Sequence, residues 1–243
     1  MIVILADGQS NCGNQLNTAG LPESHDLTSQ VHFWDTVDSV WRTCLEGSVI
    51  GSNPPRFSGS IPCALAQRIV NATGQDVYVM HNIRSGQPIS HWVGNGELSV
   101  GFERLQNIAA NALPAIERTT IDIHLWLQGE SDWERSNEDY IADWLVYRTQ
   151  LERQPWWFRP PTILMPLAAG VPTSFQNAAL ETIAETVPRV AIANGAGITA
   201  SDGVHYRDSE QWAMGYQRMW PATKKRWSYQ PSLGRGLAMA ISH

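Results

Sequence analysis

The chain begins with MIVILADGQSN (residues 1–11), in which a continuous apolar run, MIVILA, stops abruptly at a small polar segment. Similar short runs rich in Val and Ile recur at DVYVM (76–80), IDIHLWL (121–127), TILMPL (162–167) and RVAIA (189–193). Because most of them are continuous rather than alternating, they are typical of parallel strands that are covered on both faces. The opening stretch therefore predicts the first strand of a parallel sheet.

Helical patterns between and after these runs predict the crossover connections. They span residues 60–74, 102–116, 137–153, 174–187 and 208–227. Capping signals support them, since Ser60 and Gly74 bracket the first helix and Asn137 opens the third. Five strands with intervening helices predict an α/β fold, a three-layer α/β/α sandwich with a five-stranded parallel sheet.

Two segments fall outside this alternation. Residues 17–59 are rich in Ser, Gly and Pro, and a connection of that length is usually functional or decorated. We expect it to be a long loop of a single domain spanning 1–227. The tail, 228–243, has no clear period and is expected to pack on that domain or on a neighbouring subunit.

Composition excludes several classes of protein. The net charge of −6 argues against a nucleic-acid partner, because such proteins usually present a basic face. No run reaches the roughly 20 apolar residues of a membrane span, and MIVILADG lacks the basic start and the length of a signal peptide. We therefore expect no membrane partner and a cytoplasmic or phage-borne protein. Three cysteines, Cys12, Cys44 and Cys63, form no CxxC pair and no zinc spacing, so reduced or buried thiols are expected.

Chemistry concentrates where ligands bind open parallel sheets, beyond the carboxyl ends of the strands. The segments found there are GQSN (8–11), RSGQPISHW (84–92), QGESDW (128–133) and DGVH (202–205). A serine becomes nucleophilic when a histidine accepts its proton and a carboxylate orients that histidine. Ser10, His205 and Asp202 can supply these three roles. Simpler interpretations stay open: a turn serine, and a turn histidine packed on Tyr206 or Trp212.

The same segments offer donors for an oxyanion. The candidates are the backbone N–H of Ser10, Gly86, where no Cβ blocks the approach of a substrate, and the side-chain amide of Gln128. Gly86 could equally be only a turn, and Gln128 could only tie loops together. Trp92 and Trp133 fall in the same loops and could stack on a sugar, with packing in the core as the alternative.

Other chemistries fit less well. An α/β-hydrolase elbow needs a glycine where Cys12 stands. Neither of the two phosphate-binding motifs, GxxxxGK(S/T) and GxGxxG, follows a predicted strand. The acidic segment 129–139 could suggest a metal site, but a loop followed by the acidic start of a helix explains it better. We expect no metal and no cofactor.

In order and rough spacing, the four blocks resemble those of the SGNH (GDSL-like) hydrolase superfamily. More narrowly, they are similar to its sialic-acid-specific acetylesterase and acetylxylan esterase branch, carbohydrate esterase family 6. The resemblance covers residues 1 to about 220. It implies a flavodoxin-like sandwich without a metal that hydrolyses O-acetyl groups on sugars, in a polysaccharide or in sialic acid, through an acyl-serine intermediate.

The resemblance also implies roles for single residues. Ser10 matches the nucleophile, His205 the base and Asp202 the acid, while Gly86 and Gln128 match oxyanion donors. QGES stands where the superfamily usually has GxND, so Gln128 rather than an asparagine would donate. Asn11 and Glu130 lie in the same blocks and are interpreted as side chains that orient loops.

Two other functions remain as alternatives to this one. A non-catalytic glycan-binding module would not need the full catalytic set. A lipid esterase or thioesterase of the same fold would need an apolar acyl channel, whereas these loops are polar and aromatic. We therefore predict an acetylated carbohydrate as the substrate.

Overall fold

The computed structural model describes residues 1–13, 28–44, 60–94, 99–168, 176–200, 204–206 and 208–227. Within these residues the strands are β1 (Ile2–Gly8), β2 (Val31–Asp35), β3 (Val40–Thr43), β4 (Val77–Ile83), β5 (Ile123–Leu127), β6 (Thr162–Leu164) and β7 (Val190–Ile192). The helices are α1 (Ser10–Gly13), α2 (Ile61–Thr73), α3 (Ser90–Val93), α4 (Val100–Ala112), α5 (Asn137–Glu152), α6 (Gln176–Thr186), α7 (Asp208–Ala213) and α8 (Met219–Trp227). A π-helical turn, Met214–Arg218, separates α7 from α8.

The strands form one sheet in the order β3-β2-β4-β1-β5-β6-β7. All neighbouring pairs are parallel except β2 and β3, which are antiparallel. The predicted three-layer α/β fold is confirmed, but the prediction of five strands is wrong, because the sheet has seven. The five predicted strands stand in the doubly wound order β4-β1-β5-β6-β7. In the full sheet of seven strands, β1 is the central one.

The two additional strands lie inside the predicted loop 17–59. β2 pairs with β4, with Val31 beside Val77, and β3 closes an antiparallel hairpin at the edge of the sheet. Phe33 is buried in β2, whereas Val40 in β3 is exposed. Residues 17–27 and 45–59 of this connection lie outside the described residues, as does the tail 228–243.

Helices cover both faces of the sheet, which explains the continuous apolar runs. In β1, Ile2 and Ile4 pack in the cluster that contains α2 and α8. Val3 and Leu5, which point to the opposite face, pack in the cluster that contains α4, α5 and α6. Every residue of β1 is buried, as expected for a central parallel strand.

Helix ends follow the capping signals with two differences. Ser136 rather than Asn137 caps α5, and its hydroxyl accepts a hydrogen bond from the Asp139 N–H at 3.0 Å. The predicted helix 208–227 is interrupted at its centre, where Gly215 lies so close to α2 that a Cβ would be 2.3 Å from the Ile61 carbonyl oxygen. Gly74 ends α2 with a left-handed φ of 67°, as predicted.

The described part of the chain contains no helix that is long and apolar enough to cross a membrane. Cys12, Cys44 and Cys63 are buried and form no disulfide, which agrees with the expectation from their spacing. Burial raises the pKa of the Cys12 thiol well above its ordinary value.

Candidate active site

A buried polar network holds the end of β1 in place. The Asp7 carboxylate accepts hydrogen bonds from Asn82 Nδ2 at 2.8 Å and from the Tyr147 hydroxyl at 2.7 Å. His124 Nε2 lies 3.0 Å from the same carboxylate, and burial lowers the pKa of this histidine. The network links β1 to β4, β5 and α5 immediately before the chain turns towards the site.

The turn after β1 places Ser10 at the carboxyl edge of the sheet. At Gly8 a Cβ would lie 2.1 Å from the Leu127 carbonyl oxygen, so only glycine allows β1 to approach β5 this closely. Gln9 then donates its N–H to that same oxygen at 2.9 Å. Ser10 follows as the first residue of α1.

The structure brings Ser10 and His205 together across 195 positions of sequence. His205 Nε2 lies 2.8 Å from Ser10 Oγ, within hydrogen-bond distance. This is the spacing that a nucleophile and its general base require. Asp202, the third member of the predicted triad, lies outside the described residues.

Asn11 holds the segment that carries His205. Its Nδ2 donates to the Val204 carbonyl oxygen at 3.1 Å, and its Oδ1 accepts from the Tyr206 N–H at 3.1 Å. The two bonds grip the backbone on either side of His205. The Tyr206 hydroxyl, on the far side of the segment, donates to the Pro166 carbonyl oxygen.

Glu130 in turn fixes the orientation of the Asn11 amide. Asn11 Nδ2 donates to Glu130 Oε1 at 2.7 Å, and an ionised carboxylate can only accept, so the amide nitrogen must face it. Burial raises the pKa of Glu130, while the Asn11 hydrogen bond and the nearby His205 act in the opposite direction. The second oxygen, Oε2, is shielded from solvent, and no described residue donates to it.

Gln128 differs from the expectation that its amide faces the oxyanion. It is buried, and its Nε2 donates to the Asp132 carboxylate and, at 3.3 Å, to the Gln87 carbonyl oxygen. Its Oε1 accepts from the Tyr140 hydroxyl at 2.9 Å. The amide is therefore occupied in joining two loops, which is the simpler of the two interpretations of the sequence.

Gly86 lies in an exposed turn at the same edge. Its φ of 71° is in the left-handed region that favours glycine, and no heavy atom lies within 4 Å of the position a Cβ would take. Among the described residues, none accepts a hydrogen bond from the backbone N–H of Ser10 or of Gly86.

Trp92 and Trp133 differ in their exposure to solvent. Trp92 is 0% exposed and packs edge-to-face on Trp126 with ring centroids 5.6 Å apart. Of the two alternatives that the sequence left open for Trp92, the structure shows packing in the core, because α3 directs the ring inwards. Trp133 is 59% exposed and lines a cleft of about 460 Å³ together with Ser90, Ser131 and other polar side chains.

Asp132 and Tyr140 were not among the predicted residues. Asp132 accepts the Ile89 N–H at 3.1 Å in addition to the Gln128 amide, and burial raises its pKa. Its place in QGESDW, four residues after Gln128, was an available signal, whereas nothing in the sequence marks Tyr140.

The acidic residues Glu138 and Asp139 form the first turn of α5. No group of three or more His, Cys, Asp or Glu side chains within the described ranges is arranged to hold a metal ion.

Comparison with known proteins gives the fold but no family. No model of a protein family and no curated protein matches the sequence. A protein from Arabidopsis thaliana of known structure aligns with a TM-score of 0.71 at 17% identity, over 93% of this chain and 98% of its own. A carbohydrate acetylesterase from Xanthomonas citri aligns with a TM-score of 0.54 at 15% identity, over 79% of this chain and 49% of its own. An aryl esterase from M. smegmatis aligns with a TM-score of 0.52 at 17% identity, over 93% of this chain and 99% of its own.

The chain has the fold of these proteins. Identities of 15–17% are too low for an activity to be carried from any of them to this chain. The chemistry must therefore be argued from the residues at the carboxyl edge of the sheet.

Proposed function

We propose that the protein is a serine esterase that removes O-acetyl groups from carbohydrate, either polysaccharide or sialic acid, through an acyl-serine intermediate. The observation that carries this proposal is the 2.8 Å contact between Ser10 Oγ and His205 Nε2. The contact lies beyond the carboxyl ends of the strands, where ligands bind folds of this kind. The shared fold with two proteins described as esterases supports it.

Acylation begins when Ser10 Oγ attacks the acetyl carbonyl carbon and its proton passes to His205 Nε2. The carbonyl oxygen becomes an oxyanion, which the backbone N–H groups of Ser10 and Gly86 stabilise. Collapse of this intermediate breaks the bond between the carbonyl carbon and the sugar oxygen. That oxygen takes the proton from His205 Nε2, so the sugar leaves as an alcohol and Ser10 keeps the acetyl group.

Deacylation repeats the steps with water as the nucleophile. Water loses a proton to His205 Nε2 and attacks the acetyl carbon, and Ser10 Oγ then leaves with that proton, which releases acetate. Asp202, three residues before His205, is the acid that orients the imidazole and stabilises its charged form.

Three further residues position this machinery without touching the substrate. Asn11 and Glu130 hold the His205 segment, as the contacts above describe. Gln128 acts through Asp132 and Gln87 to hold the loop that contains Gly86. The oxyanion donors in this proposal are therefore two backbone N–H groups, with Gln128 setting the position of one.

The cleft beside Trp133 supports a sugar as the substrate. Its volume of about 460 Å³ lies in the range of small-molecule sites, and polar side chains dominate its lining. An exposed indole offers an apolar face for the carbon–hydrogen side of a sugar ring, while the polar lining suits hydroxyl groups. A small acetyl group needs no long apolar channel.

The test compares the wild type with Ser10→Ala on 4-nitrophenyl esters and on a panel of acetylated polysaccharides. We expect acetate ester hydrolysis to lose about six orders of magnitude in kcat in the variant, as in other serine triads. An organophosphonate should add to the wild type at Ser10 alone. Ser10→Ala is also the blank for acetate release from each polysaccharide.

Three outcomes contradict parts of this proposal. Equal activity of wild type and Ser10→Ala removes Ser10 as the nucleophile. Faster turnover of octanoate than of acetate indicates a lipid esterase or thioesterase. Tight glycan binding without any release of acetate indicates a binding module.

A further inference from the structure

A second cleft of about 380 Å³ opens at the carboxyl edge of the sheet, between the β2–β3 hairpin and α4. Trp34 of β2 lies on one side, Glu103 and Asn107 of α4 lie on the other, and Arg84 and Arg104 also contribute to its lining. No step of the proposed hydrolysis uses these residues. One side of the cleft comes from the hairpin, which the sequence did not predict, and the other side comes from α4.

The charges in this cleft are unbalanced. Arg84 directly follows β4, and its positive charge lowers the pKa of Arg104, which burial also lowers; the Asp7 charge opposes both effects. Neither arginine forms an ion pair with a carboxylate in the described part of the chain. Glu103 is the single acidic side chain in the lining, so two cations face one anion.

The pKa of His91 shows the effect of the same positive charges. Burial lowers the pKa of this histidine, and the charges of Arg84 and Arg104 lower it further. Its Nε2 atom is buried, and no described residue bonds to it. The two guanidinium groups therefore lie close enough to His91 to influence its charge, and no carboxylate in the described residues pairs with either of them. A bound carboxylate would supply an acceptor, because the planar guanidinium fork fits its two oxygens.

The backbone of Arg84, which lines this cleft, is bonded to the turn that leads to Ser10. The Arg84 N–H donates to the Gly8 carbonyl oxygen at 2.9 Å, and Gly8 precedes Ser10 by two residues. β1 and β4 are neighbouring parallel strands, which lie about 4.8 Å apart. A substrate whose acetyl group reaches Ser10 can therefore extend a neighbouring substituent towards Arg84.

We propose that Arg84 and Arg104 form a binding site for a carboxylate of the substrate, so that the protein prefers acetylated glycans with acidic sugars. This inference rests on the proposed esterase function and adds the charge of the substrate to it. Arg104 is already anchored, since its Nη1 donates to the Ile83 carbonyl oxygen at 2.8 Å. Arg84 is exposed, so its side chain is accessible to an anion, and Asn107 offers a further side-chain amide from α4.

The kinetic test uses pairs of substrates that differ only in the carboxylate. One pair is an acetylated uronic acid glycoside and its carboxyl-reduced form, and the other is an acetylated sialoside and its carboxyl-reduced form. We expect the wild type to favour the acidic member of at least one pair by about tenfold or more in kcat/KM, mostly through KM, as charge-assisted hydrogen bonds predict. The pair that shows the preference identifies the source of the carboxylate.

Variants then assign the preference to the cleft. Arg84→Gln and Arg104→Gln should each reduce the ratio of kcat/KM for the acidic substrate to kcat/KM for the neutral substrate to near one. A general loss of activity lowers both values equally, so it leaves this ratio unchanged. Arg84→Lys, which keeps the charge but loses the fork, should retain part of the preference. Arg153→Gln is the matched control, because this exposed arginine ends α5, where the chain runs beside the amino end of β5.

A binding arm separates failure of this inference from failure of the proposed function. Calorimetric titration of Ser10→Ala with the same glycosides measures affinity without any hydrolysis. We expect Ser10→Ala to bind the carboxyl-reduced form more weakly than the acidic form, and this difference in affinity should disappear when Arg84→Gln is added. That result supports the site even if no ester is cleaved. Equal affinity or equal kcat/KM for both members of both pairs overturns the carboxylate site, whether or not 4-nitrophenyl acetate is hydrolysed.

Discussion

Replacement of Asn11 by alanine tests how the general base is held. The side chain is 1% exposed and makes three hydrogen bonds, to Glu130 Oε1, to the Val204 carbonyl oxygen and from the Tyr206 N–H. Alanine removes all three and leaves the partners without these contacts. The segment that carries His205 then loses its attachment to α1 on both sides.

The magnitude follows from these contacts. Two hydrogen bonds between neutral groups contribute about 1 kcal/mol each to stability, and the bond to the carboxyl group contributes about 2 kcal/mol. We therefore expect the free energy of unfolding to fall by about 4 kcal/mol, which a domain of this size can tolerate. A displacement of the imidazole by about 1 Å costs about 100-fold in rate, so kcat/KM should fall by at least that factor.

The assay combines urea unfolding with hydrolysis of 4-nitrophenyl acetate. Asn71→Ala is the matched control, because Asn71 is exposed and its side chain also donates and accepts hydrogen bonds, with Tyr216 and Gln67. The control should lose less than about 1 kcal/mol, as exposed substitutions usually do, and should keep its activity.

A double variant that exchanges the donor and the acceptor between positions 11 and 130 distinguishes a positioning role of Asn11 from a general effect on stability. Asn11→Asp places an oxygen opposite Glu130 Oε1, so two acceptors face each other and activity should fall as in the alanine variant. Adding Glu130→Gln supplies an amide donor in the reverse direction and should recover about tenfold of the lost kcat/KM, equivalent to one restored hydrogen bond. If Asn11→Ala folds and retains kcat/KM within twofold of the wild type, Asn11 does not place His205 and this reasoning is refuted.

Two further predictions concern the backbone turn and the buried carboxyl. In Gly8→Ala the new Cβ meets the Leu127 carbonyl oxygen, so we expect several kcal/mol of destabilisation and a loss of activity, read by thermal unfolding and ester hydrolysis; a variant of unchanged melting temperature would contradict this. Because burial raises the pKa of Glu130 above its ordinary 4.5, the folded state keeps a proton that the unfolded state has already lost, and stability falls as the pH rises through that window. Glu130→Gln does not titrate, so its stability relative to the wild type should increase from pH 4.5 upwards and then level off. A difference in the free energy of unfolding, measured in urea, that stays constant with pH would contradict the raised pKa.

The sequence predicted the centre of the sheet because burial there leaves a direct signal. Val and Ile runs such as MIVILA have no polar face, and the structure places them between two helical layers. The hairpin left no such signal. Its outer strand, VWRT, is half-exposed, and its inner strand is stabilised by pairing with β4 and by contacts such as Trp34 with Trp41. Strand formation that depends on tertiary neighbours cannot be read from local propensity.

The predicted site residues show the same division. Ser10 and His205 lie in motifs that follow strands, so their meeting was predictable from the topology rule for parallel sheets. The direction of the Gln128 amide was not predictable, because Tyr140 on α5 and the Asp132 carboxylate decide it. The sequence could not decide between a cleft and the core for Trp92, because its segment is polar, whereas the fold buries its ring against β5.

The contacts of Asn11 couple His205 to Ser10. Asn11 and Ser10 are consecutive residues of α1, so a movement of this short helix carries both the serine hydroxyl and the bonds that hold Val204 and Tyr206. The distance between Ser10 Oγ and His205 Nε2 is therefore preserved when α1 shifts as a unit. It changes when Asn11 releases the segment. Disturbances elsewhere at the sheet edge should impair substrate positioning before they separate Ser10 from His205, because the Asn11 contacts and the contact between Ser10 Oγ and His205 Nε2 both join α1 to this segment.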